Sequence, residues 1–253
     1  SVVVGLPILS DKNTVATTSA KLKDTDAVKS FASSNNLSFT TATTATNMYG
    51  VYTVDKDGSG LNTTTAGTPS VTTVDNPTLA ACVTSDPGKE QIFIDHNGDS
   101  VVDYVIQVTD QMAKLSVYDE KNEKLTIAGA GSIDFADVVG YENVAKDDIV
   151  LYHKLNETYY VYPAESVSGT VTAYNADDKT VSLDGTSYKA SLVGLTAAGT
   201  DLTTFSAGET LVGDGYTLYM DRFGNVVAKA VYEETVGNYA LVLDSAVLSG
   251  IGN

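Results

Sequence analysis

Residues 171–185 read VTAYNADDKTVSLDG and residues 114–129 read KLSVYDEKNEKLTIAG. Each is a β-rich run, an acidic turn and a second β-rich run ending in glycine, the pattern of a hairpin. In the first, Val171 and Ala173 alternate with polar neighbours, so they are expected beside Val181 and Leu183 on one side of the pleat. Residues 148–162 (DIVLYHKLNETYYVY) and 216–232 (YTLYMDRFGNVVAKAVY) repeat the scheme. Hairpin after hairpin from Ile92 onward, rich in Val, Thr and Tyr, argues for small antiparallel barrels or sandwiches and against a βαβ sheet.

Some of these stretches align with one another. IFIDHNGDSVVDYVIQV (92–108) and TLYMDRFGNVVAKAVYE (217–233) match Asp95 with Asp221 and Gly98 with Gly224. In the two opening hairpins, Tyr118 to Gly129 spans the same distance as Tyr174 to Gly185. Two readings stand: the chain is a string of related β modules, or acidic hairpins simply resemble each other.

Upstream, the chain is Thr-rich, with TTATTAT at 40–46 and NTTTAGTPSVTT at 62–73. One helix is expected there. Asp24 or Thr25 can cap DAVKSFASS, in which Val28 and Phe31 share a face. MYGVYTV (48–54) and IFID (92–95) read as strands, and the Ser-Asp-Pro-Gly run at 85–88 as a turn between them. The opening SVVVGLPIL is an ordinary first strand or one that pairs with another module or subunit. The expected architecture is an all-β chain of tandem small antiparallel β domains with at most one or two short helices. A Thr-rich domain occupies 1–109, a small β module 110–165 and a second module 166–253. NYALVLDSAV near the end reads as a strand opening a new element, so the natural polypeptide is expected to continue past Asn253.

Composition removes several functions. Against 15 basic side chains stand 32 acidic ones, a net charge of −17 over 253 residues. Such a chain repels phosphate backbones and anionic membranes, so nucleic acid is not an expected partner. No apolar run approaches the roughly 20 residues of a spanning helix. Cys82 is the single cysteine, which rules out an intramolecular disulfide and reads as a small core residue. Arg222 is the only arginine, and tryptophan is absent.

The sharpest chemical motif is DHNGDSVVD, with Asp95, Asn97, Asp99 and Asp103 at positions 1, 3, 5 and 9. Alternate oxygen-bearing residues of a tight loop can converge on calcium. Ser100 stands at the sixth position and Ile106 at the twelfth, where an EF-hand has glycine and glutamate, so a site here is shallow and relies on water or a neighbour. The competing reading is a solvated acidic turn. DKDGSG (55–60) supplies too few ligands and reads as a plain turn.

Enzyme signatures are scarce. His96 and His153 are the only histidines and lack metal-ligand spacing; His153, in LYHK, reads as a surface or rim position on a strand. There is no GxSxG elbow and no phosphate-cradling glycine loop. Without tryptophan, a sugar platform falls to Tyr152, Tyr159, Tyr160 and Tyr162, whose better-supported role is filling a barrel. No enzyme is expected.

Five segments carry a family resemblance: IFIDHNGDSVVDYVI, DFADVVGYENVAKDDIVLYHKLNETYYVYPAESVSGTVTAYN, DGTSYKAS, YTLYMDRFGNVVAKAVYEE and NYALVLDSAVLSGIGN. Residues from about 92 to 253 resemble the modular β regions of bacterial surface-layer (S-layer) proteins of the type that carries S-layer homology anchoring domains. The resemblance implies a secreted, cell-surface structural protein that self-assembles into a lattice or filament, often with calcium. It also implies contact with cell-wall polymer through segments other than these. The alternative function is an extracellular adhesin or carbohydrate-binding module using the tyrosines at 159–162.

Overall fold

The computed structural model describes residues 14–39, 50–54, 61–63, 79–80, 82–84, 88–95, 98–155, 158–175, 177–190, 197–205 and 209–232. The readings of 1–9, 40–46, 55–60, 85–87, His96, Asn97 and 238–253 concern residues outside this set. Among these residues the fold is all-β, with three sheets and one α-helix.

Strands β1 (Thr14–Thr18), β2 (Gly50–Val54), β3 (Leu61–Thr63), β4 (Glu90–Asp95) and β5 (Tyr104–Val108) form the first sheet, in the order β1-β4-β5-β2-β3. Its pairs are antiparallel except β2 with β5. Helix α1 (Thr25–Ser34) starts at Asp24, whose Oδ1 accepts the Ala27 N–H at 2.8 Å. That bond satisfies one of the orphan donors of the first turn. Val28 and Ala32 of α1 are buried against Phe93, Val102 and Val105, together with Leu22, Leu37, Leu79 and Cys82. Phe31 and Phe39 close on the Phe93 ring at centroid distances of 5.2 and 6.2 Å. On the opposite face, Ile92, Ile94, Ile106 and Val108 are also buried, and Glu90 lies among them in register.

The second sheet comprises β6 (Gln111–Asp119), β7 (Lys124–Ile127), β8 (Gly131–Asp134), β9 (Val138–Val139), β10 (Ile149–Leu155) and β11 (Thr158–Pro163), in the order β8-β7-β6-β10-β11-β9. The third comprises β12 (Ser166–Asn175), β13 (Thr180–Leu183), β14 (Thr186–Lys189), β16 (Gly215–Met220) and β17 (Val226–Val231), in the order β14-β13-β12-β16-β17. The five-strand paths are the same in both. Each sheet also bends back on itself: β9 pairs with β11, and Ala190, directly after β14, bridges Val226 of β17. Bending toward closure covers edges that would otherwise pair with other chains.

The likeness of the two sheets extends to single residues. The β6–β7 ladder skips between Leu115 and Val117, and the β12–β13 ladder between Val171 and Ala173. At the skipped position Ser116 Oγ donates to the Thr126 carbonyl, and Thr172 Oγ1 to the Ser182 carbonyl. Glu123 and Lys179 take φ of 52° and 53°, and Gly129 and Gly185 take 86° and 87°. The bulge corrects one sequence expectation. It turns Ala173 outward opposite Ser182, and Tyr174 instead packs inward opposite Val181. Strict alternation fails because the extra residue shifts the pleat by one.

The sheet changes fall between β5 and β6 and between β11 and β12. The short strand β15 (Ala197–Ala198) breaks that linear order by pairing in parallel with β6. It brings Ala197 into a shared apolar cluster with Met112 and Leu151 of the second sheet and Val227 and Ala228 of the third. Tyr162, Ala164, Leu202 and Tyr219 pack around it.

Candidate functional site

The acidic loop lies at the end of the β4–β5 hairpin. Asp95 terminates β4 and is buried; its Oδ1 accepts the Gly98 N–H at 2.7 Å and its Oδ2 the Ser100 N–H at 2.9 Å. Asp99, which is exposed, accepts the Val101 N–H at 2.9 Å. Asp103 is fully buried just before β5. Asn97 lies outside the described residues. Asp95 and Asp99 therefore serve as Asx-type turn acceptors, as expected where Gly98 and Ser100 take positive φ of 82° and 65°. Among the described residues, no three His, Cys, Asp or Glu side chains are grouped so that they could hold a metal. The aligned Asp221 does the same work at the β16–β17 turn, where its Oδ1 accepts the Phe223 and Asn225 N–H groups at 2.9 and 2.8 Å. Burial pushes the Asp221 carboxyl up, against hydrogen bonds from Asn225 and Phe223 that lower it.

That β16–β17 turn also projects Arg222, which builds the most concentrated charge cluster in the described structure. Its Nε donates to Asp110 Oδ2 at 2.7 Å, and its Nη2 donates to Glu90 Oε2 at 2.6 Å. Asp110 sits in the link between β5 and β6, Glu90 starts β4, and Arg222 belongs to the third sheet. His153 of β10 completes the set, with Nδ1 2.8 Å from Asp110 Oδ1. The side chains are 5% (Asp110), 7% (His153), 12% (Glu90) and 16% (Arg222) exposed, so solvent screens the pairs little. Tyr160 stacks on His153 at 5.1 Å, and the Arg222 guanidinium lies 4.6 Å from the Tyr162 ring centre and 4.9 Å from that of Phe223. A planar fork with several fixed donors suits such a place; a lysine ammonium could not reach both carboxylates in the same way.

Burial alone would raise the Asp110 carboxyl, but hydrogen bonds and positive charge from His153 and Arg222 hold it below the usual carboxylate range. Burial likewise opposes the Arg222 charge, and Asp110 and Glu90 more than offset it, so its pKa moves further up. Tyr162 is pushed up by burial and by Asp110 and Glu90, against the lowering effect of Arg222. The cluster acts electrostatically as a junction between three sheets.

Of the residues singled out in sequence, the structure brings Asp95, Asp99 and Asp103 to one hairpin end. It moves His153 from an expected rim position to the interior. β10 is buried on both faces: Val150 and Tyr152 face the second-sheet core, while Leu151 packs toward the third sheet and His153 toward Asp110. The signal was the unbroken apolar run before His153, which marks a strand covered on both sides. Tyr159 packs with Tyr152 on one face, while Tyr160 and Tyr162 lie on the other against His153. These tyrosines do not form a common platform. Glu90 and Asp110 were not legible as partners, since the contacts span 132 and 112 residues. Comparison with known proteins returns no match, whether to a family model, a curated protein or a solved structure.

Proposed function

We propose that this chain is a structural subunit of an extracellular self-assembling array of S-layer type, with calcium assisting assembly. The observation that carries the reading is the Arg222 junction, which together with β15 ties three sheets into one connected body. A lattice transmits load only through subunits whose parts do not slide past one another, and strand pairing plus a buried charge cluster supplies that stiffness. The net charge of −17 gives calcium a role. Copies of so acidic a chain repel each other, and millimolar divalent cation is the expected remedy outside the cell. The acidic loop of Asp95, Asn97, Asp99 and Asp103 is the first place such an ion would bind. The cell-surface location, the wall-polymer contact through other segments and the absence of catalysis belong to the same proposal.

Light scattering through a calcium titration, with magnesium and a chelator as controls, tests it. Mass should grow with calcium and fall back on chelation. A monomer at every calcium level would contradict it and favour the adhesin or carbohydrate-binding reading, which a glycan panel would then examine.

A further inference from the structure

The second and third sheets share a strand order and a bulge, so their residues correspond at a constant spacing: Met112, Ala113, Lys114 and Ala128 answer to Ser168, Gly169, Thr170 and Asp184. The two sets are hydrogen-bonded alike. The Ala128 N–H donates to the Lys114 carbonyl and the Asp184 N–H to the Thr170 carbonyl, both at 3.0 Å. What lies along the edge beside them differs. On β6 the edge carries an added strand: Ala197 and Ala198 of β15 pair in parallel with Met112 and Ala113. A Cβ on the next residue, Gly199, would meet the Ala128 Cβ at 2.8 Å, so the added strand lies hard against Ala128. On β12 no described strand pairs with the corresponding stretch on that side. There the Asp184 carboxylate takes up the position, its Oδ1 accepting the Thr170 N–H at 3.1 Å. A Cβ at Gly169 would collide with Asp184 Oδ2, so glycine at this place is what lets the carboxylate lie over the edge.

We infer that Asp184 stands in for an added strand and holds the β12 edge shut, so that removing its carboxylate lets the edge take a strand from a second copy of this chain. The chain itself shows what fits such an edge, a short extended run of small residues laid in parallel. Unpaired N–H and carbonyl groups on an edge are a template for another chain, and a charged side chain placed there blocks the pairing. Alternation turns the Ser168 N–H to the same side as that of Thr170, which makes it the next donor in line. The neighbouring face is altered in the same sense. Met112 and Leu151 pair across β6 and β10 and are buried in the shared apolar cluster. Their counterparts Ser168 and Thr217 are hydroxyls hydrogen-bonded at 2.8 Å, and Ser168 is exposed. Asp184 and Gly185 form the turn with φ of 48° and 87°, a conformation that glycine adopts at either position without strain. The carboxylate is therefore removable without disturbing the hairpin. The inference concerns an edge that the calcium proposal does not use, and it stands whether or not calcium assembles the chain.

Sedimentation velocity over a concentration series tests the closed edge, in high salt with a chelator, which screens the net charge of −17 and removes calcium. The parent should stay a monomer. Asp184→Gly should at least double in mass as concentration rises, and so should Gly169→Ala, which pushes the carboxylate aside. Hydrogen exchange at the Ser168 amide should slow as either variant associates. Asp184→Asn, which keeps the Oδ1 acceptor, should remain a monomer. Should Asp184→Gly lack the parent's far-UV circular dichroism, Gly169→Ala decides alone. Monomers in both open variants, association that leaves Ser168 exchange unchanged, or equal association of the parent or of Asp184→Asn would each overturn the inference.

Discussion

Arg222 matters through its geometry as much as its charge. Replacing it with methionine keeps much of the apolar stem but leaves Asp110 and Glu90 without their shared donor, and breaking a buried pair in this way costs about 3 kcal/mol. Lysine should recover only part of that loss, because a single ammonium cannot make the forked contacts. Urea denaturation of the three proteins checks this order, and equal stability of Arg222→Lys and the parent would contradict it. Glycines give a second contrast. A Cβ at Gly140 would run into the Val161 carbonyl, and Gly140 holds φ of 93°. Gly98 also holds positive φ, 82°, but nothing lies near its missing Cβ. Gly98→Ala should thus cost about 1–2 kcal/mol from backbone strain, and Gly140→Ala clearly more. Thermal melts that rank them the other way would refute the packing of the β9–β11 edge. Cys82 is buried, and burial pushes its thiol up to about 12. A thiol reagent at pH 8 should label it only when the chain unfolds, and prompt labelling of the native protein would place it elsewhere.

Among the elements, α1 was the most legible in sequence, because its start depends on local chemistry alone. Asp24 or Thr25 before an apolar pair three apart predicts a cap and a buried face; Asp24 proves to be the cap, and Val28 lies on that face, fully buried. Asp24→Ala should cost about 1 kcal/mol, read from equilibrium unfolding, and no loss would mean the helix is held by packing only. The hairpins were legible for the same reason: their turns are coded within a few residues. What short-range pattern could not give is the bulge at Thr172, since an extra residue in a ladder is fixed by its partner strand. Nor could it give the parallel pairs β2–β5, β9–β11 and β6–β15, each of which joins distant parts of the chain. The matched spacing from Tyr118 to Gly129 and Tyr174 to Gly185 coincides in the structure with matched bulges and matched positive φ values.

For the whole molecule, the candidate site was only half visible in sequence. The acidic loop stands out because its carboxylates are contiguous; the junction does not, because its members are scattered from Glu90 to Arg222 and meet only through the packing of three sheets. The one advance sign was the solitary arginine in an acidic chain, a residue type used once and then largely enclosed. On the proposed reading, that combination would suit a subunit that is stiff within and repulsive without, and whose association would depend on what neutralises its surface. Electron microscopy of the purified chain across a calcium titration, with chelator as the control, addresses this claim most directly. The account predicts ordered sheets or filaments that appear with calcium and dissolve on chelation, weakened by replacement of Asp95 or Asp99. Monodisperse particles at every calcium concentration would contradict it.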